Sequence, residues 1–215
     1  MALAEDSDRD AWLRLTLING LGGASIRQLL SAFGTPQQVF DAGALELRRH
    51  VAAEIAAVIT AGGNQDAARK TLDWLQDPAN HIVTLGDEDY PKLLLQIPDP
   101  PPLLYVKGRL DLLNRFAVAI VGSRNASPQG LDLARDFARA LAEAGVTVIS
   151  GLALGIDGAA HQGALPTAPE GPARCRVHVG KGGKDQKHHP HGMDFAAEPP
   201  ANNRVSELVD GLDED

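Results

Sequence analysis

From Phe116 to Ser150 the chain reads FAVAIVGSRNASPQGLDLARDFARALAEAGVTVIS: a short apolar run, a glycine turn, a long amphipathic segment, and a second apolar run. Few folds accept that order. Ser127 and Pro128 give a cap and a first helical position, and Gly145 gives a stop, so the spacing predicts a helix from Pro128 to Ala144. Ala134, Phe137, Ala138 and Leu141 form its expected buried stripe, with Asp132, Arg135, Asp136, Arg139 and Glu143 left to water. A strand, a helix and a strand in succession imply two parallel strands joined by a right-handed crossover. This is the first half of a doubly wound α/β sheet.

Upstream the patterning changes character. The first 80 residues carry apolar positions at helical spacing: Ile26, Leu29, Leu30 and Phe33, then Val51, Ile55, Val58 and Ile59, then Ala68, Leu72 and Leu75. Gly34 ends the first stripe, and Gly62 and Gly63 end the second. Thr35, Pro36 and Gln38 spell a capping box with proline at the first helical position, and Asn64 can cap the last helix. From His81 the chain turns strand-like, with IVTL (82–85) and LLYVKG (103–108) on either side of the connector IPDPPP (97–102), whose prolines forbid helix. A further helix is expected near Asp157 to Leu165. The organisation is then a helical module over 1–80, an α/β unit over 81–165, and a tail over 166–215. Proline, glycine, histidine and charge dominate that tail, and only RVHV (176–179) and VSELVDGL (205–212) can form an element.

Composition excludes several classes. A single cysteine allows no internal disulfide, the acidic start MALAEDSDRD lacks the features of a signal peptide, and no apolar run reaches bilayer length. A soluble cytoplasmic protein with no membrane partner is expected. The formal net charge of −8 argues against indiscriminate nucleic-acid binding but leaves room for a local basic pocket.

Ligands of open α/β sheets gather at the carboxyl ends of the strands, where helix N-termini offer free N–H groups. Gly122 stands at the end of one strand and Gly151 at the end of the next. A dinucleotide fingerprint would need glycine where Arg124 stands, and an acidic residue where Ser150 and Gly151 stand, so no such cofactor is expected. No Gly-Lys-Ser/Thr follows the glycine, which excludes a phosphate-binding loop of the nucleotide-hydrolase kind. Two readings remain: a site for an isolated backbone phosphate built from Ser123, Arg124 and helix N–H groups, or a plain strand-to-helix turn with Arg124 in solvent.

YPKLLLQIPDPPPLLYVKG (90–108), VAIVGSRNASPQG (118–130) and SGLALGIDGAAHQGAL (150–165), in this order and spacing, resemble the DNA-processing protein A family, also called DprA or Smf. The resemblance covers 87–165. It implies an extended Rossmann fold and a non-enzymatic protein that binds single-stranded DNA, protects incoming DNA in natural transformation and helps to load a RecA-type recombinase. It further implies that Gly122, Ser123 and Arg124 form the phosphate loop, that Gly151, Gly155 and Asp157 form the second glycine-rich turn, and that the protein can pair as a homodimer. INGLGGASIRQLL (18–30) looks like a helix-hairpin-helix, with Gly20, Leu21 and Gly22 at the phosphate-contacting turn. The alternative is a tight interhelical turn needing glycine for its positive φ, and it is preferred because this region of the family is often a structural, degenerate form.

The family's pattern continues past the GIDxxAH segment with further strands and much of the dimer surface, and nothing of this kind follows Leu165. The chain therefore reads as truncated or divergent there. Strands meant to be central become edges and an apolar sheet face loses its cover, so marginal stability or completion by a partner is expected. Two other constellations carry less. Asp157 and His161 share a helix face, yet neither Ser123 nor Ser150 sits in a nucleophile elbow, so a structural Asp157 is expected. Cys175 and His178 have a tolerable Cys-x-x-His spacing, but His188, His189 and His191 in HHPH have no regular ligand spacing, and no metal is expected. Two rival functions stay open: a phosphoribohydrolase of the lysine-decarboxylase-like family, whose Pro-Gly-Gly-x-Gly-Thr loop is missing here, and a nonfunctional remnant.

Overall fold

The computed structural model describes residues 2–165 and 175–179. In chain order the elements are α1 (Ala2–Thr16), α2 (Gly23–Phe33), α3 (Pro36–Asp41), α4 (Ala44–Leu47), α5 (Ala53–Thr60), α6 (Gln65–Trp74), β1 (Asn80–Thr84), β2 (Leu103–Gly108), β3 (Ala117–Ala119), α7 (Pro128–Glu143), β4 (Thr147–Ile149), α8 (Ile156–Ala164) and β5 (Cys175–Val179). The mixed α/β class follows directly.

Local chemistry sets the helical layer. Thr35 accepts the amide of Gln38, and the Gln38 side chain accepts the amide of Thr35, which closes the capping box at the start of α3. Asn64 Oδ1 accepts the Ala67 amide and starts α6. The stripes of α2, α3 and α5 then converge: Ile18, Leu21, Ile26, Leu29, Val39, Leu47 and Ile59 form one buried cluster. Val58, expected on the buried stripe, stands exposed instead, because Ile59 one position on takes the inward place.

This core continues across residue 80. Trp12, Leu13 and Ala68 pack with Leu103 of β2, and Leu72, Ile82 and Tyr105 close around them. Arg27 on α2 adds a polar tie to the proline-rich connector, donating to the Pro100 carbonyl at 2.7 Å and pairing with Asp99 at 2.6 Å. Tyr90 is buried beneath the same connector and donates to the Pro101 carbonyl at 2.7 Å. Burial pushes its phenol pKa up to about 12, so it stays neutral across the working range. Truncating Arg27 to alanine is expected to cost about 1–2 kcal/mol in urea denaturation, since a half-buried guanidinium loses one charged and one carbonyl partner.

The strands divide into two sheets, a partition that the reading of 81–165 as one α/β unit left unspecified. β1 and β2 pair antiparallel, Ile82 opposite Tyr105, and β5 adds to the other side of β2, also antiparallel. The connector between β1 and β2 holds a 3-10 turn at Leu94–Gln96 rather than a crossover helix, and a parallel return needs such a helix. β3 and β4 are the parallel pair, Val118 opposite Val148, joined through α7. β5 includes the RVHV segment; VSELVDGL lies outside the described residues.

The packing of α7 also departs from its pattern. Ala134 and Ala138 are buried, but Phe137 is 59% exposed, and Leu133 on the same helix and Phe116 beside β3 are more exposed still. The reason is α8, which crosses α7 on its alanine side: a Cβ added to Gly163 would lie 2.1 Å from the Arg135 carbonyl oxygen. Small residues permit that approach and leave little hydropathy signal. Arg135, expected in solvent, is half-buried and reaches Gln162 of α8 at 3.0 Å.

Candidate nucleic-acid interface

The loops after β3 and β4 emerge at the same end of their parallel pair, and the N-terminus of α8 closes between them. Asp157, in the first turn of α8, is 4% exposed. One carboxylate oxygen accepts the Gly122 amide at 3.1 Å and the other accepts the Gly151 amide at 2.9 Å. The anion between the two strand ends is therefore the protein's own carboxylate, and the two glycine amides that the sequence offers to a phosphate are already engaged. Its place in the first turn of α8 also favours its charge.

The glycines of the two turns serve close approach. A Cβ on Gly122 would sit 2.7 Å from the Ile156 side chain, and one on Gly155 would sit 2.2 Å from the Ser123 carbonyl oxygen. Gly155 also adopts a φ of +85°, which other residues reach at a cost. The Ile156 amide donates to the Ser123 carbonyl at 3.2 Å, so the start of α8 is bonded to the Gly122–Arg124 loop. In the second turn Leu152 has a φ of +49°, the one non-glycine positive φ among the described residues, and its amide donates to Ser150 Oγ at 3.0 Å. Such strain persists only where the surroundings hold it.

On the outer side of this clasp stand Ser123 and Arg124, both exposed. Ser123 Oγ accepts the Asn125 amide at 3.1 Å, and Ser127 Oγ accepts the Gly130 amide at 3.2 Å to cap α7. Arg124 makes no ion pair among the described residues, whereas Arg135 and Arg139 on the helix that follows are each held by an aspartate. The six residues singled out in the sequence thus fall together, in two tasks. Asp157 with Gly122, Gly151 and Gly155 builds the joint, and Ser123 and Arg124 face outward from it. Sequence reasoning missed that Asp157 spans both turns. The signal lay in its place in the first turn of α8, six residues after Gly151.

The hairpin turn of the helical module has an internal use. Leu21 is buried and Gly20 has a φ of +86°, while a Cβ on Gly23 would lie 3.5 Å from the Asp99 carboxylate and 3.3 Å from Pro102. The Asp99 carboxylate of the connector stands beside Gly23, one residue past the turn, while the space over Gly22 is open. Among the described residues no cluster of His, Cys, Asp and Glu could hold a metal ion, and no helix is long and apolar enough to cross a membrane. The side chains of Cys175 and His178 and the tract His188, His189 and His191 lie outside the described residues.

Comparison with known proteins adds an independent line. The family model described as DNA recombination-mediator protein A matches residues 81–173. The Escherichia coli protein Smf is 35% identical over 74% of this chain and 41% of its own length. The Streptococcus pneumoniae DNA processing protein DprA is 48% identical over 46% of this chain and 34% of its own length. The X-ray structure of DprA from the same organism aligns with a TM-score of 0.56 at 27% identity, covering 73% of this chain and 52% of that one. The chain spans about two fifths of the length of the first of these relatives. The matched segment contains both glycine turns, Arg124 and Asp157, so it is over residues 81–173, where the DNA recombination-mediator protein A model matches, that the chain is similar to the DprA/Smf proteins.

Proposed function

We propose that this protein binds single-stranded DNA through the outer side of the joint between β3, β4 and α8, as a DNA-processing protein without catalytic chemistry. Arg124 takes a backbone phosphate, Ser123 and the start of α7 support it, and Gly122, Gly151, Gly155 and Asp157 fix the loop that carries it. In this reading the β3–α7–β4 unit is the first half of an extended Rossmann sheet, and the helices before β1 form a SAM-like module that does not touch DNA. The protein protects incoming DNA in the cytoplasm and hands it to a RecA-type recombinase, with a homodimer as the working form.

The observation that carries the reading is an exposed guanidinium with no carboxylate partner among the described residues, in a chain of net charge −8 where neighbouring arginines are paired. An unpaired arginine beside a helix N-terminus, raised on a rigid joint, suits a phosphodiester. Arg124→Ala should weaken binding of a single-stranded oligonucleotide about equally for every sequence. It should also reduce the slope of log affinity against log salt by about 0.7, the value for one phosphate on a single strand. An unchanged slope removes Arg124 from the interface.

A further inference from the structure

Two large apolar side chains flank the same joint and stand exposed: Val121 is 68% exposed and Leu154 is 62% exposed. Each precedes a glycine of the clasp. Gly122 abuts Ile156, and Gly155 abuts the carbonyls of Ser123 and Arg124, so Val121 and Leu154 are anchored one residue from the contacts that set the position of Arg124. Other exposed apolar residues of the β3–α7–β4 unit lie away from the joint: Phe116 at the opposite end of β3, and Leu133 and Phe137 along α7. Apolar surface adjoining a lone cation, both held by one rigid joint, matches a ligand that carries an anion and a bare hydrophobic face side by side. A single-stranded nucleic acid has that pairing in its phosphate and its unstacked base. A duplex hides the base faces.

Resting on the proposed DNA-binding reading, we infer that Val121 and Leu154 form an aliphatic lip that contacts the face of a nucleobase whose phosphate is held by Arg124. The lip supplies the non-ionic part of affinity and the preference for single strands over duplex. It does so without the aromatic platforms common in other single-strand binders. Covering roughly 50 Å² of aliphatic surface is worth about a five- to ten-fold change in affinity.

The test compares a labelled oligothymidylate with an abasic phosphodiester strand of equal length, each titrated into the full chain at several salt concentrations. The wild type should prefer the thymidylate by about five-fold or more. The paired change Val121→Ser with Leu154→Ser should abolish that preference and leave the salt slope intact. Equal affinity of the wild type for both strands overturns the lip, and so does a preference that survives in the variant. A change in sedimentation of the serine variant would instead assign these residues to contact between copies. The two failures are separable: if Arg124→Ala leaves the slope unchanged the phosphate site itself is wrong, whereas a changed slope with no thymidylate preference removes the lip alone.

Discussion

Gly155→Ala should cost about 3 kcal/mol or more of folding stability. Two costs add. A φ of +85° strains an L residue by roughly 1–2 kcal/mol. The new Cβ would also stand 2.2 Å from the Ser123 carbonyl oxygen and 2.7 Å from that of Arg124, both backbone atoms that move only by opening the joint. Gly145→Ala is the control that separates the two. Gly145 has a φ of +77° with open space around its Cβ position, so its substitution should show the conformational cost alone, about 1 kcal/mol. Urea denaturation of the two variants measures the difference. Equal losses would mean that the contact between α8 and the Ser123–Arg124 turn contributes nothing.

Removing the Asp157 carboxylate is the second large effect. Asp157→Ala frees two amides from a charge-assisted partner and leaves a small void at a buried position, for an expected loss of about 2–4 kcal/mol. Asp157→Asn separates charge from shape. The amide side chain fits the same space but has a single oxygen, so one of the two glycine amides must face an N–H group instead. Its loss should fall between wild type and alanine. Oligonucleotide affinity of the asparagine variant should drop while its far-UV circular dichroism stays native, because the loop bearing Arg124 is less firmly set. A stability of Asp157→Ala within 0.5 kcal/mol of wild type, the ordinary surface range, would show that the clasp is not holding the two turns.

Much of this was legible in the sequence where one residue type has one local use. The capping box at Thr35 and Gln38, the Asn64 cap, the entry of α7 at Ser127 and Pro128, and the parallel pairing of β3 with β4 all follow from short-range chemistry. Site residues fell together for the same reason, since two strand ends of a parallel pair must lie at one end. What escaped depends on long-range packing. Phe137 looks like the natural core residue of α7, yet α8 lies over Ala134 and Ala138 because alanine and Gly163 allow the backbones to approach. The separate antiparallel sheet of β1, β2 and β5 escaped because an apolar run records that a strand is buried and says nothing of its partner. Asp157 escaped as a bridge because a carboxylate in a helix first turn already has a sufficient local reason to be there.

The central claim is that the protein's own carboxylate occupies the space between the two strand ends, so that an external phosphate meets Arg124 on the outer side. Amide hydrogen exchange at Gly122 and Gly151, read by NMR in the wild type and in Asp157→Asn, tests it most directly. Both amides should be protected in the wild type without any nucleic acid, and at least one should exchange about ten-fold faster or more in the variant, as expected for a lost charge-assisted bond. Two amides that exchange freely in the wild type and become protected only when phosphate or an oligonucleotide is added would contradict the claim.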